Sequence, residues 1–370
     1  MANTKISALT SVASLAGTET FPIVQSGSTK KAAISDISTL MQSSAPQTTF
    51  RNLIHNGNFS VDQRGNGTTH SVAVSTTAFS YYVDRWFANS TGAALTGSLI
   101  TGLGTSRYNY RLTGIVSNTG FNVGQRVESI NVGHLASSTA TLQFKVASSS
   151  LTTLTYTISY ANTADTFGTL GSPTKTTIVT GSVAVTATLT RQTVSFTMPA
   201  NAFGVEVLFT GGALVAAQTF TLADVQLESG SVATAFETRP YQIELALCQR
   251  YINGFTTSTY GNSTGTFTVG NGNSQSTTSS VINIPFSVQL RRKPTTLETP
   301  ASLASTTLVN GSGVGGVPTA ISLSNSGANC GQIVVTTTAG TPTIAAAQPA
   351  YLQMSNSSVV QYILFTGAEL

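Results

Sequence analysis

The sequence predicts an all-β protein of several domains, and three observations carry that prediction. Polar and apolar residues alternate with a period of two over long stretches. In Thr139 to Val146, Ala140, Leu142, Phe144 and Val146 face one way, and Thr139, Thr141, Gln143 and Lys145 face the other. The 17 Lys plus Arg and 13 Asp plus Glu make up 8% of 370 residues, against about 25% in an average domain. Its polar surface must therefore come from Ser, Thr, Asn, Gln and Gly, and Thr and Val favour the pleated backbone. Finally, 33 Gly and 11 Pro supply turns and interrupt helices.

Composition also excludes function classes. The net charge of +4 is spread thinly, with Lys30-Lys31 and Arg291-Arg292-Lys293 as the only basic runs, so nucleic acid is not an expected partner. No window of 18 apolar residues exists to span a membrane. The opening MANTKISALTSVASLAG is too broken by Ser and Thr for a signal peptide. Cys248 and Cys330 lie far apart in different contexts and read as two separate thiols.

Residues 1–45 form the first unit. Short apolar pieces alternate with turn signals at Gly17, Pro22 and Gly27. An extended piece with Phe21, Ile23 and Val24, a Ser-Gly-Ser turn and a helical turn from Ser35 to Met41 are expected. This is too thin to fold alone and reads as a docking element. The polar stretch Gln42 to Thr49, with Pro46, reads as a linker.

Residues 46–239 form the second unit. Besides Thr139 to Val146, Val194, Phe196 and Met198 alternate with Thr193, Ser195 and Thr197, and Phe203, Val205, Val207 and Phe209 alternate with Gly204, Glu206 and Leu208. Several such runs separated by Gly, Asn and Ser clusters predict an antiparallel sandwich. Residues 240–252 read as a connecting helix, with Pro240 suited to the first helical position and Tyr241, Leu245 and Cys248 on one face. Residues 253–370 are strand-like again. Ile282, Ile284, Phe286, Val288 and Leu290 alternate with polar residues and Pro285, and Pro285 predicts an edge strand or a bulge.

Enzyme signatures fail on context. Gly261-Asn262-Ser263-Thr264-Gly265 fits a nucleophile elbow, but no His follows it to take the serine proton. Gly311 to Gly316 contains GxGxxG, yet Pro318 stands where the dinucleotide fold needs a helix. The carboxylates that could pair for glycoside hydrolysis are dispersed, and no enzyme is expected. His55, His70 and His134 lack zinc-ligand spacing. Asn58, in the Asn56-Gly57-Asn58 turn, together with Asp224, offers oxygen ligands for a structural calcium ion if the first and last strands of the sandwich lie side by side. The alternative is a turn plus an ordinary strand Asp. Tyr81-Tyr82-Val83-Asp84-Arg85-Trp86-Phe87 suits either stacking on sugar rings or a core, and core is favoured for Trp86.

The N-terminal TKISALT…LAGTETFPIVQSGSTKKAAISDI resembles the segment shared by bacteriophage tail fibre and tail appendage proteins. NLIHNGNFSVDQRG, YYVDRWF and FTLADVQLESGSVATAFETRPYQIELALCQRYI resemble the jelly-roll module of phage fibres, which is similar to carbohydrate-binding modules with an NGxF first strand and a DV last strand. Such modules carry an acidic residue where Ser60 stands here. IPFSVQLRRKPTTLE and the final GAEL resemble the distal β-domain of the same phage proteins.

The resemblance implies a homotrimeric virion appendage, made in the host cytoplasm and attached to a virion tail or collar protein through residues 1–45. It would attach to the host cell by recognising a surface glycan. Three weak sites per fibre would give avidity without a deep pocket. On that reading Tyr251, Phe255 and Tyr260, at and just after the helix end, and the distal Tyr351 are candidate ligand contacts or else interchain packing residues. The alternative function is a purely structural virion protein such as a head fibre, collar or decoration component.

Overall fold

The computed structural model describes residues 18–37, 50–64, 69–103, 106–201, 203–256, 266–340, 345–355 and 362–370. They are nearly all β, as the alternation predicts. The first elements among the described residues are two strands, β1 (Thr20–Gln25) and β2 (Ser28–Ala33), paired as an antiparallel hairpin. Ser26 and Gly27 at its tip both have positive φ, 54° and 75°, which matches the twist of a two-residue turn to that of the strands. The second strand was not expected from sequence. A helical turn follows at 34–37; the rest of the expected helical turn, to Met41, and the linker 42–49 lie outside the described residues.

A sandwich of twelve strands comes next: β3 (His70–Val72), β4 (Ser80–Val83), β5 (Trp86–Thr91), β6 (Leu95–Leu103), β7 (Ser106–Thr113), β8 (Gly120–Val127), β9 (Thr139–Ser148), β10 (Thr153–Ala161), β11 (Lys175–Ala184), β12 (Thr190–Thr197), β13 (Val205–Gly211) and β14 (Thr219–Ser229). One sheet runs β11-β10-β13-β8-β5-β4 and the other β12-β9-β14-β7-β6-β3. Residues of matching parity meet between them, including Leu142, Phe144 and Val146 of β9 and Val205, Val207 and Phe209 of β13. Phe203 precedes its strand and is exposed, so the alternation begins one step later than the sequence suggests. Trp86 is buried, 4.8 Å from Phe59 between ring centres, and its Nε1 donates to the Asn56 carbonyl at 2.9 Å. A buried indole needs that partner, and core is the role it has.

The helix spans Tyr241–Gln249 and buries Cys248. Pro240 is its N-cap, with extended backbone (φ −54°, ψ 138°), rather than its first helical residue. Ten further strands follow: β15 (Asn253–Thr256), β16 (Thr266–Ser274), β17 (Ser279–Pro285), β18 (Thr296–Glu298), β19 (Thr306–Asn310), β20 (Gly315–Gly316), β21 (Ala320–Leu323), β22 (Cys330–Thr336), β23 (Pro349–Ser355) and β24 (Tyr362–Thr366). They form a three-stranded sheet β15-β24-β18 and a seven-stranded sheet β20-β19-β23-β16-β17-β22-β21 around a second core. β17 is interior, between β16 and β22, which corrects the edge expected from Pro285. Proline is tolerated because it is the last residue of the strand, where its missing N–H interrupts no further ladder. Gly311 to Gly316 is a turn closed by Gly313 N on Asn310 O at 3.0 Å, followed by strand and no helix.

Charged side chains tie the distal sheets to the sandwich. Buried Arg64 bonds Glu298 at 2.9 Å and Glu369 at 3.2 Å. Arg250 and Arg291 converge on buried Glu128 at 2.9 and 3.4 Å. Tyr81 and Arg126 of the sandwich donate to the Leu370 carbonyl at 2.7 and 3.0 Å. No helix among the described residues is long and apolar enough to cross a membrane.

Candidate functional site

A bulge in β14 builds the candidate site. Phe220 and Leu222 point into the core, and so do Val225 and Leu227. The change from even to odd numbers means that one extra residue sits between Ala223 and Gln226, where Asp224 and Val225 stand opposite the single residue Phe144. There the register against β9 shifts, and Asp224 adopts a left-handed backbone with φ 46°. Aspartate tolerates that conformation better than most residues. Past the bulge, residues 52–57 replace β7 as the neighbour of β14. Leu53 N donates to Leu227 O at 2.8 Å, Asn52 Nδ2 to Val225 O at 3.0 Å and Val225 N to Gly57 O at 2.9 Å. A Cβ at Gly57 would collide with the Val225 carbonyl oxygen, so this approach requires glycine. The Asn56-Gly57-Asn58 turn and the last strand do lie side by side.

Beyond the bulge, Gln226 and Glu228 join Thr141 and Gln143 of β9 in a polar row on the outer sheet face. Residues 230–239 strap across this row and satisfy it. Thr141 Oγ1 donates to Gly230 O at 2.7 Å, Gln143 Nε2 to Thr234 O at 3.0 Å and Thr234 Oγ1 to Glu228 Oε2 at 2.5 Å. Glu237 then accepts from Phe50 N and Asn52 N, and Arg239 donates to Asn52 O and bonds Glu244. Arg239 is thereby fixed in place at the foot of the helix.

The strap leaves the Asp224 end of the face open as two adjoining cavities. One, of about 250 Å³, is lined by Asn58, Ser60, Ser106, Arg107, Tyr108, Asp224, Phe236, Thr238, Arg239 and Tyr241. The other, of about 330 Å³, is lined by Gln143, Lys145, Arg191, Asp224, Phe236 and Thr238. The three residues common to both make them one groove. Between its halves Lys145 Nζ lies 2.7 Å from Asp224 Oδ2, to which Ser106 Oγ donates at 2.6 Å. Arg107 and Arg191 stand exposed on the rim, Arg107 with its guanidinium 5.3 Å from the centre of the Tyr108 ring. Tyr108, Phe236 and Tyr241 are half-buried. Aromatic faces beside hydroxyl, amide and charged groups can stack on the apolar face of a sugar ring and bond its hydroxyls.

Asn58 and Asp224 therefore share a cavity, but the donor set does not fit calcium. The Lys145 ammonium already occupies the carboxylate that would anchor the ion, and an adjacent like charge opposes a second cation. Among the described residues no cluster of three His, Cys, Asp or Glu is placed to hold a metal.

The candidate aromatics are not gathered. Tyr251 is wholly buried beneath the Arg85 guanidinium, 3.4 Å from its ring centre, which corrects its assignment as a ligand contact because neither ring face is open to a ligand. Phe255 is half-buried against the distal core and borders a cavity of about 500 Å³ with Gln63, Tyr241 and Leu245. In β23 the core residues are Ala350, Leu352 and Met354, so the period of two puts Tyr351 on the opposite face from Phe255. Tyr260 and Ser263 lie outside the described residues. The groove residues Tyr108, Phe236 and Tyr241 were missed. The alternation in Ser106 to Arg111 and the aromatics flanking Thr238-Arg239-Pro240 were the available signals, but only the strap brings them together.

No family model matches the chain, and no curated protein matches its sequence. Among solved structures, a CBM4 structure is 16% identical, with a TM-score of 0.29, over 48% of this chain and 99% of its own. The N-terminal cellulose-binding domain of β-1,4-glucanase C from Cellulomonas fimi is 20% identical, with a TM-score of 0.27, over 40% of this chain and 90% of its own. The enzymatically active domain of tailspike protein 4 from bacteriophage CBA120 is 12% identical, with a TM-score of 0.28, over 50% of this chain and 22% of its own.

Proposed function

We propose that the chain is a glycan-binding protein of a phage virion, and that the groove on the outer face of the sandwich holds the glycan during attachment to the host cell. The observation that carries the binding part is the groove itself: three half-buried aromatics and a fixed set of polar groups on a rigid sheet. The groove has one lining carboxylate, Asp224, and it is engaged by Lys145. Hydrolysis needs two carboxyl groups flanking the bond, so this lining favours binding without cleavage. The virion part is supported by the resemblance of the N-terminal segment, the NGxF and DV strands and the CQRYI region to phage appendage proteins. On this reading residues 1–45 dock to the particle and three copies assemble.

The test is binding of the full chain to intact candidate host cells and to their extracted surface polysaccharide, beside a chain lacking residues 1–45. Saturable binding by both is expected, with release of no reducing ends. Absence of binding by both across a broad panel would make the chain a structural virion component instead.

A further inference from the structure

We infer that the groove selects an acidic polysaccharide, one bearing carboxylate, sulfate or phosphate groups along its chain. This rests on the reading of the groove as a glycan site and names the class of glycan. The Lys145–Asp224 pair cancels its own charge, so the field of the groove is set by what remains. Arg239 adds no net positive charge either, because two carboxylates, Glu237 and Glu244, hold it from behind the groove wall. What remains is cationic at both ends: Arg107 on one cavity and Arg191 on the other. Both are exposed, and among the described residues neither forms an ion pair; Arg191 bonds only the strap carbonyls of Ala233 and Thr234, at 3.0 and 2.6 Å.

Two lining guanidiniums on either side of the Lys145–Asp224 pair suit a polymer that carries repeated negative groups. A guanidinium binds a carboxylate or a phosphoryl or sulfuryl oxygen pair through two parallel N–H donors. Arg107 beside Tyr108 also couples charge recognition to ring stacking, since the same sugar can lie on the phenol and offer its acid to the guanidinium.

The experiment measures affinity of the full chain for matched polymers that differ in charge: polygalacturonate against its methyl ester, with hyaluronate and alginate against dextran and xyloglucan. At least one acidic polymer is expected to bind roughly tenfold or more tightly than the neutral polymers, as one charged hydrogen-bonded contact implies. The preference should shrink as salt rises from about 0.05 to about 0.3 M. The double variant Arg107→Gln, Arg191→Gln, with both positions exposed and its folding checked by thermal melting, should lose the preference. Equal or tighter binding of neutral polymers would overturn the inference and leave glycan binding standing. So would an acidic preference that survives in the double variant. Binding to none of these polymers, nor to extracted host polysaccharide, would overturn both.

Discussion

At the scale of single residues, burial decides which polar groups are structural and which are available. His55 is buried, and desolvation, followed by the charges of Arg85, Arg239 and Arg250, holds its pKa well below the ordinary 6.5. The unfolded chain takes up a proton near pH 6.5 that the folded chain refuses. The contribution of His55 to stability is therefore complete above that value and is lost as pH falls below it toward the folded pKa. The difference in melting temperature between the wild type and His55→Gln should move in favour of the variant from pH 7 to about pH 5. A difference independent of pH would show that His55 titrates alike in both states. Trp86→Ala should cost roughly 3–5 kcal/mol in denaturant unfolding, because it opens a cavity and removes one of the two donors to the Asn56 carbonyl, the other being Phe59 N. Tyr108 is half-buried and packs against the sandwich core, so Tyr108→Ala should lower stability modestly and, measured well below its melting temperature, weaken glycan binding about tenfold in titration calorimetry, the typical loss for an aromatic contact at a binding hot spot.

At the scale of elements, the strap controls the groove. Residues 230–239 are held by side chains beneath them, and Glu228 alone accepts from Thr234 N at 2.9 Å and Thr234 Oγ1 at 2.5 Å. Glu228→Ala leaves those donors without their acceptor, a loss of about 1–3 kcal/mol. Because Phe236 and Thr238 on the strap wall the groove, melting temperature and glycan affinity should fall together in this variant. Unchanged affinity with lowered stability would separate strap from site. The strands themselves were legible in the sequence, since a period of two survives wherever one face meets a core, as in β9. The bulge was not, because its sign is a single slip in parity between Ala223 and Gln226 that only pairing makes visible. The strap was not legible for a related reason: a polar segment beside polar strands leaves no periodic trace. Nor was the packing of residues 52–57 on β14, which joins Asn52 to Val225 across 173 positions. Tyr251 shows the converse. An aromatic after a helix end looks available in sequence, and only tertiary packing puts it under Arg85.

At the scale of the whole molecule, two cores are joined by buried charge rather than by one continuous apolar seam. Arg64 is the hub, bonded to Glu298 and Glu369. Arg64→Ala strands the buried Glu369 carboxyl, and breaking such a pair costs roughly 3 kcal/mol or more. Calorimetry of this variant should resolve two transitions where the wild type gives one; a single transition in the variant would mean that the other cross-links suffice. This junction fixes the helix and Tyr241 at the end of the groove, and so relates the distal sheets to the proposed glycan site without requiring them to touch ligand. On the proposed reading, ligand sits on the outer face of the sandwich. Amide hydrogen exchange of the full chain with and without saturating host polysaccharide tests it most directly. Added protection is expected in β7, β9 and residues 230–241; protection confined to residues 253–370 would rule that placement out.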